Sequence, residues 1–397
     1  MDATADKRIA GARRRIKSLD QQTIEDMLAI VRVAAPPFGE RERASFVARK
    51  LASLDLHVLI DEVGNVIARH EAPAQASPVI LAAHLDTVFP AETEVAVRRT
   101  GGRIYAPGIA DNCRGLAAMI TIARVLKDQQ LHTERPVVFV ATVGEEGTGD
   151  LRGVKHLFRA GSSLRNAAAF VSLDGTGRRR IVYRAIGSRR LRITITGPGG
   201  HSWADYGMAN PVHALGLAIG GFDQVDVPRQ PRTALTVGRM AGGTSVNAVP
   251  EEAWCEVDLR SEAGHTLSDV ESEVRRIVAS AVDHVNGHRK RGTAALKADI
   301  RVIGDRPSGE TPVSAAVVRA ARAATRALGD TPELVASSTD ANIPIALGIP
   351  AVTVGAGGES GGTHTTEEWY SNEGGPEGIE RVLLIVLELA GLESVRG

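Results

Sequence analysis

Apolar positions recur at helical spacing over residues 20–33 and 40–54, with Pro36, Pro37 and Gly39 between them, which predicts two helices ahead of the first strands. From about residue 56 to 185 short β-branched runs alternate with helical patterns, the clearest being GLAAMITIARVLKD at 115–128. That alternation is the mark of βαβ units and a mostly parallel sheet with helices on both faces. Between 187 and 305 the period changes. LRITIT, TALTVGRM, AWCEVDLRS and ADIRVI alternate as strands, while NPVHALGLAIGGF and SDVESEVRRIVASAVDHV are helical. The order β-α-β-β-α-β is the split βαβ arrangement of a ferredoxin-like α+β domain, and a unit of this size can fold as an insertion. After DRPSG the α/β pattern returns with an Ala-rich helix over 312–328, the strand PAVTVGA and a last helix near 377–391. The expected organisation is an α/β domain built from residues 1–186 and 306–397, interrupted by a ferredoxin-like domain at 187–305.

Composition narrows the partners. The 397 residues are 43% hydrophobic, enough for a large core, and the length suits two domains. Forty-seven basic residues balance forty-seven acidic ones, so there is no electrostatic footprint for nucleic acid or an anionic membrane. The short runs Arg13–Arg15 and Arg178–Arg180 read as solvated surface. Aromatic residues make up 4%, too few for stacking platforms. Two cysteines, Cys113 and Cys255, support neither a disulfide framework nor a thiolate zinc site, and fit a reducing cytoplasm. The charged N-terminus lacks the apolar centre of a signal peptide, and nowhere do about 18 apolar residues run uninterrupted.

Four apolar strands stop on side chains that bind metals: PVILAAHLDTV, PVVFVATVGEEG, AAAFVSLDGTG and PAVTVGAGGESGGTHTTEEW. In open α/β sheets, ligand sites form beyond the carboxyl ends of the parallel strands. His84, Asp86, Glu145, Glu146, Asp174 and His364 are thereby expected to converge, with Asp111 joining them from the start of the helical run after APGIADN. So many acids at one sheet edge repel one another unless cations sit among them.

Each residue also has an ordinary structural explanation. His84 can be a hydrogen-bonded core histidine, the pair Glu145–Glu146 a solvated turn, Asp111 a helix N-cap, Asp174 a turn former and His364 a loop residue. Independent strand and helix ends all supplying metal-type donors are harder to explain that way. Strand periodicity puts His84 and Asp86 on one face, so that Asp86 can accept a hydrogen bond from one ring nitrogen while the other binds metal. Adjacent Glu145 and Glu146 diverge, so one can ligate while the other serves as base. Two histidines and three carboxylates suit two divalent ions sharing one bridging acid, with zinc, cobalt or manganese all compatible.

Taken in order, HLDTV, ADN, GEEG, LDG and GGTHTTEEW resemble the dinuclear metallopeptidase family that includes peptidase T, glutamate carboxypeptidase, aminoacylase and the acetylornithine and succinyl-diaminopimelate deacylases. TGPGGHSW and GGTSVNAVPEEAWCEVDLR resemble that family's dimerisation domain, and the likeness spans roughly residues 20–390. The resemblance implies a homodimer with two divalent ions per chain, most naturally zinc. It implies that His84 and Asp174 hold one ion, Glu146 and His364 the other, and that Asp111 bridges them. Glu145 becomes the general acid/base and Asp86 the partner of His84. His201 reaches from the partner protomer to stabilise the oxyanion, while Asn247 and Arg260 hold a substrate carboxylate or backbone group. One departure blurs the subfamily: Asn112, Cys113, Arg114 and Gly115 follow the bridging acid where many relatives have Lys and Gly. Cys113 is expected to pack in the core.

The implied reaction is hydrolysis of an amide bond in a small peptide, TGDLRGVKHLF and THTTEEWY lying nearest to peptidase T-like and carboxypeptidase-like members. The alternative within the same chemistry is a deacylase or aminohydrolase acting on an N-acyl amino acid or other small metabolite. A non-catalytic metal-binding scaffold would be signalled by a missing ligand or a missing Glu145, and none is missing.

Overall fold

A computed structural model of the chain describes residues 7–72 and 76–393. Contacts divide it into two compact units, one formed by Met1–Ala185 with Glu310–Gly397 and the other by Ile186–Gly309.

The larger unit is organised around a nine-stranded sheet. At its centre Val137–Thr142, Val79–His84, Ala169–Leu173 and Ala351–Val354 lie side by side and parallel. Every residue of these four strands is buried, which is why they read as unbroken apolar runs with no alternation. The sheet as a whole is mixed, which corrects the expectation of a mostly parallel one. His57–Ile60 and Val66–His70 form an antiparallel hairpin at one edge, and Arg180–Ala185 runs antiparallel to Ala351–Val354 towards the other. The hairpin is fixed locally: one Asp61 carboxylate oxygen accepts from the backbone N–H groups of Val63, Gly64 and Asn65, and so short a connection permits only an antiparallel pair.

Alternate residues of the central strands enter two different cores. Val79, Leu81 and Ala83 join the apolar cluster that receives Lys7–Ser18, Asp20–Val31, Arg41–Ala52, Gly115–Asp128, Ala316–Ala327 and Gly375–Ala390. Ile80 and Ala82 join a smaller cluster on the opposite face with Val154, Leu157, Phe158 and Ile343. There Phe158 meets Phe170 edge-on, with ring centroids 5.6 Å apart. Helices thus cover both faces. The helix Lys7–Ser18 had no clear signature, because it buries only Ile9, Ala12 and Ile16, a stripe one residue wide among arginines.

The smaller unit is a four-stranded antiparallel sheet in the order Thr233–Gly242, Glu252–Ser261, Gly187–Thr196, Lys297–Arg306. Leu191, Ile193 and Ile195 alternate into a core with Val257, Leu259 and the helices Pro211–Asp223 and Gly264–Gly287. Asn210 caps the first helix by accepting from the N–H groups of Val212 and His213, with Pro211 at its first position.

A second small sheet, in the larger unit, was not apparent from the pattern. Its antiparallel strands, Arg98–Thr100, Arg103–Tyr105, Trp369–Ser371 and Glu359–Gly361, are only three residues each, too short for a periodic signal. It brackets two functional loops, 106–114 and 362–368.

The final helix approaches this region closely. A Cβ built on Gly378 would lie 2.1 Å from the Gly357 Cα, so backbone meets backbone with no room for a methyl. Gly378→Ala should therefore cost about 2 kcal/mol of stability through overpacking, measured as a fall in denaturation midpoint with an unchanged slope.

Candidate metal centre

Register brings the strand ends level. His84 pairs with Thr142, and Ala83 with Leu173, so the residues just beyond each strand, Glu145, Glu146 and Asp174, emerge beside His84. Asp111 comes from the loop before helix Gly115–Asp128. It does not cap that helix, whose N-cap is Arg114 with no side-chain hydrogen bond. The Asn112 amide donates to the Leu173 carbonyl at 2.7 Å and ties this loop to the Asp174 strand end.

Asp111 sits between two imidazoles. Its Oδ1 lies 3.0 Å from His84 Nε2 and its Oδ2 lies 3.3 Å from His364 Nε2. Asp174 Oδ1 is 4.0 Å from His84 Nε2, and Glu146 Oε1 is 3.0 Å from His364 Nε2. Donor atoms gather within 4.8 Å of one another in three sets: His84, Asp111 and Asp174; Asp111, Glu146 and His364; His84, Glu145 and Glu146. Among the described residues neither Lys nor Arg pairs with Asp111, Glu146 or Asp174. Two imidazoles with carboxylates, split into two sets sharing Asp111, is a donor set suited to two divalent ions.

The titration of these groups reflects crowding. Burial, then the charge of Asp111, lifts the Asp174 carboxyl to about 7. Burial would also raise Asp111, yet the hydrogen bonds from His364 and His84 hold it well below the usual carboxylate range. Hydrogen bonds to Asp111 and then Glu146 push His364 up to about 10. Burial opposes charge on His84, but the Asp111 hydrogen bond and the surrounding carboxylates outweigh it and raise its pKa.

Asp86 acts differently from the expected partner of His84. Its carboxylate is 3.8 Å from Nδ1, beyond hydrogen-bond reach, and the ring instead meets the Asp86 backbone carbonyl at 3.0 Å. The carboxylate accepts from the backbone N–H groups of Glu145 at 2.9 Å and Glu146 at 2.7 Å. A buried acid needs donors, and the turn after Val137–Thr142 presents two together.

Three positioning residues escaped the sequence reading. Glu368 is fully buried and accepts from the N–H groups of Gly108, Ala110 and Asp111, fixing the loop that carries Asp111; burial lifts its carboxyl to about 7 against those bonds. Arg43 is buried and donates to the Leu85 carbonyl at 2.7 Å, between His84 and Asp86. Asn65 accepts from Val143 N–H and donates to the Gly153 carbonyl, bracing the strand end before Glu145. The only available signal was the pair Glu367–Glu368 before an aromatic strand. Cys113 is buried in the core and absent from the donor sets.

The other site candidates belong to the smaller unit. His201 pairs in a short ladder with Ala248, and Ser202 N–H donates to the Asn247 carbonyl, so His201 and Asn247 are neighbours. His201 Nδ1 accepts from the N–H groups of Trp203 and Ala204, which places the proton of a neutral ring on Nε2. Arg260 is not brought to them. It lies eight residues along the strand from Glu252, roughly 26 Å at the usual rise, and pairs with Asp258 at 2.7 Å.

A model of Peptidase family M20/M25/M40 matches residues 80–388. The chain belongs to this family. The likeness read from motif order therefore holds, and the protein is a hydrolytic enzyme with the family's metal-dependent amide chemistry. It is 26% identical over 300 residues to a putative succinyl-diaminopimelate desuccinylase of Mycobacterium tuberculosis, covering 74% of this chain and 78% of that one. It is 24% identical over 404 residues to an N-carbamoyl-L-amino acid amidohydrolase of Geobacillus stearothermophilus, covering 88% and 91%. A tripeptidase structure from Staphylococcus aureus superposes with a TM-score of 0.77 at 24% identity, over 93% of this chain and 98% of that one, which shows a shared fold.

Asp86→Asn should leave the His84 ring contact in place but lose one of the two accepted N–H bonds. Bound metal and turnover should fall by about 10- to 100-fold, read by metal analysis and kinetics. Metal-free protein should also respond to pH in one direction. Asp174 is raised, so its contribution is present below the unfolded carboxyl value and lost as pH climbs through about 7; His364 is raised, so its contribution is lost between about 6.5 and about 10. Thermal melts of chelated protein should therefore weaken from pH 5 to 9.

Proposed function

We propose that the protein hydrolyses an amide bond in a small peptide, with two divalent ions, zinc in the first instance and cobalt or manganese as functional substitutes. The observation that carries this is the pair of donor sets joined by Asp111, with Glu145 beside His84 and Glu146. His84 and Asp174 would hold one ion, Glu146 and His364 the other, and Asp111 both. Bound there, the ions acidify a water and polarise the scissile carbonyl. Glu145 accepts the proton of the attacking water and passes it to the leaving nitrogen. Asp86 holds the backbone of Glu145 and Glu146, so the base and a ligand move as one turn.

His201 Nε2–H suits an oxyanion donor, and Asn247 beside it suits a hydrogen bond to substrate. In this reading His201 serves the site of a partner protomer, and the unit Ile186–Gly309 is the dimerisation domain. Exposed apolar side chains support that: Val212 and Leu217 on one helix and Met240 on a strand of the same unit. Arg260 would bind a substrate carboxylate separately from His201 and Asn247. The protein works in the cytoplasm, in keeping with its two free, buried cysteines.

A deacylase acting on an N-acyl or N-carbamoyl amino acid is the second reading, favoured by the names of the curated relatives. A panel of free and blocked dipeptides, N-acyl and N-carbamoyl amino acids separates the two. Glu145→Gln should keep its metal and lose turnover by several orders of magnitude. Mixed with equally inactive His201→Ala, it should regain activity, because each mixed dimer then holds one complete site; a mixture that stays inactive excludes the role across protomers.

A further inference from the structure

Arginines 178, 179 and 180 read as one solvated run, but their surroundings differ. Arg178 pairs with Asp330 at 3.2 Å, Arg179 pairs with Glu333, and farther along the strand Arg184 pairs with Glu310 at 2.7 Å. Among the described residues no hydrogen bond or ion pair engages the Arg180 guanidinium, and this exposed residue lines the mouth of a cavity of about 320 Å³ within the larger unit. Strand alternation explains the difference from its neighbour: Ile181 is buried in the helix-covered core, while Arg180 and Val182 face the cavity.

The same cavity is lined by Asp111 and Asp174, so it opens directly onto the metal centre. Its remaining wall is built of short residues, most of them hydroxylic, with Ala110, Val182 and Val354 among them. Six hydroxyl side chains border it, and two of the pairs are already linked, Thr339 with Thr353 and Thr176 with Ser360, each at 2.7 Å. A linked hydroxyl pair still has one hydrogen to donate to a ligand. Among the described residues no aromatic ring lines the space, and its volume is roughly that of ten waters. Large apolar side chains find few partners here beyond Ala110, Val182 and Val354. A guanidinium without a partner, set among hydroxyl donors, matches a planar oxyanion on a short arm.

We propose that Arg180 is a specificity-determining residue: it binds a carboxylate carried on a short side arm of the substrate, in a hydroxyl-lined pocket adjoining Asp111 and Asp174. This rests on the amide-hydrolase reading for its substrate, but not for the pocket's affinity.

Two measurements test it on the metal-loaded enzyme. The first compares kcat/KM for N-glutaryl-L-alanine with that for its uncharged carboxamide analogue, in wild type, Arg180→Met and Arg180→Lys. Wild type should favour the carboxylate on the order of tenfold or more. In Arg180→Met that ratio should collapse towards one through a higher KM, and Arg180→Lys should recover part of it. The second is calorimetric titration with glutarate, its monoamide and inorganic phosphate. Glutarate should bind best, and Arg180→Met should abolish the advantage. If phosphate binds best in an Arg180-dependent way, the carboxylate assignment is wrong. If amides are hydrolysed but neither the ratio nor glutarate affinity depends on Arg180, the pocket assignment fails while the hydrolase reading stands. If glutarate binding depends on Arg180 and no amide is cleaved, the pocket stands and the hydrolase reading falls.

Discussion

The constraint behind this molecule is electrostatic: several carboxylates are buried within a few ångströms of one another at the edge of an apolar sheet. Removing such charges from water costs far more than ordinary hydrogen bonds return, so each must be neutralised or shared. Protein groups meet this demand only in part. Two imidazoles flank Asp111, three backbone N–H groups satisfy Glu368 and two satisfy Asp86, yet burial and the neighbouring Asp111 charge still lift the Asp174 carboxyl to about 7. The rest is a standing demand for positive charge, and divalent cations supply it more compactly than any side chain could.

The sheet makes that crowding tolerable by being rigid. Its central strands are buried on both faces, so their ends cannot splay to relieve repulsion. The positioning contacts share one logic. Each pairs a side chain with the main chain: the Asp86 carbonyl meets the His84 ring, the Glu145 and Glu146 N–H groups donate to the Asp86 carboxylate, and the N–H groups of the Asp111 loop donate to Glu368. Backbone partners have fewer soft torsions, so the donors are aimed before any ion arrives.

This division also explains what could be read from the chain. His84, Glu146, Asp174 and His364 follow apolar strands long enough to announce themselves, and register carries them to one edge. The β-α-β-β-α-β order over the later region was equally plain, because alternation and helical spacing are strong over ten or more residues. Glu368 was invisible: its partners are three N–H groups some 260 positions earlier, and backbone donors leave no trace in residue identity. Asp86 meets His84 through its backbone carbonyl and not its carboxylate for a related reason, since strand alternation predicts a side chain's face but not which donor it finds. Arg180 was lost within an arginine run whose members differ only in which side of a strand they occupy.

The short sheet that joins Arg103–Tyr105 to Trp369–Ser371 has a temporal implication. It couples the loop of Asp111 to a segment made some 260 residues later, so a nascent chain carries the acids from Asp111 to Asp174 well before the segment that closes the site. His364 lies on that same late segment, so the donor set of Asp111, Glu146 and His364 is complete only after it has been made, whereas His84, Asp111 and Asp174 are in place well before.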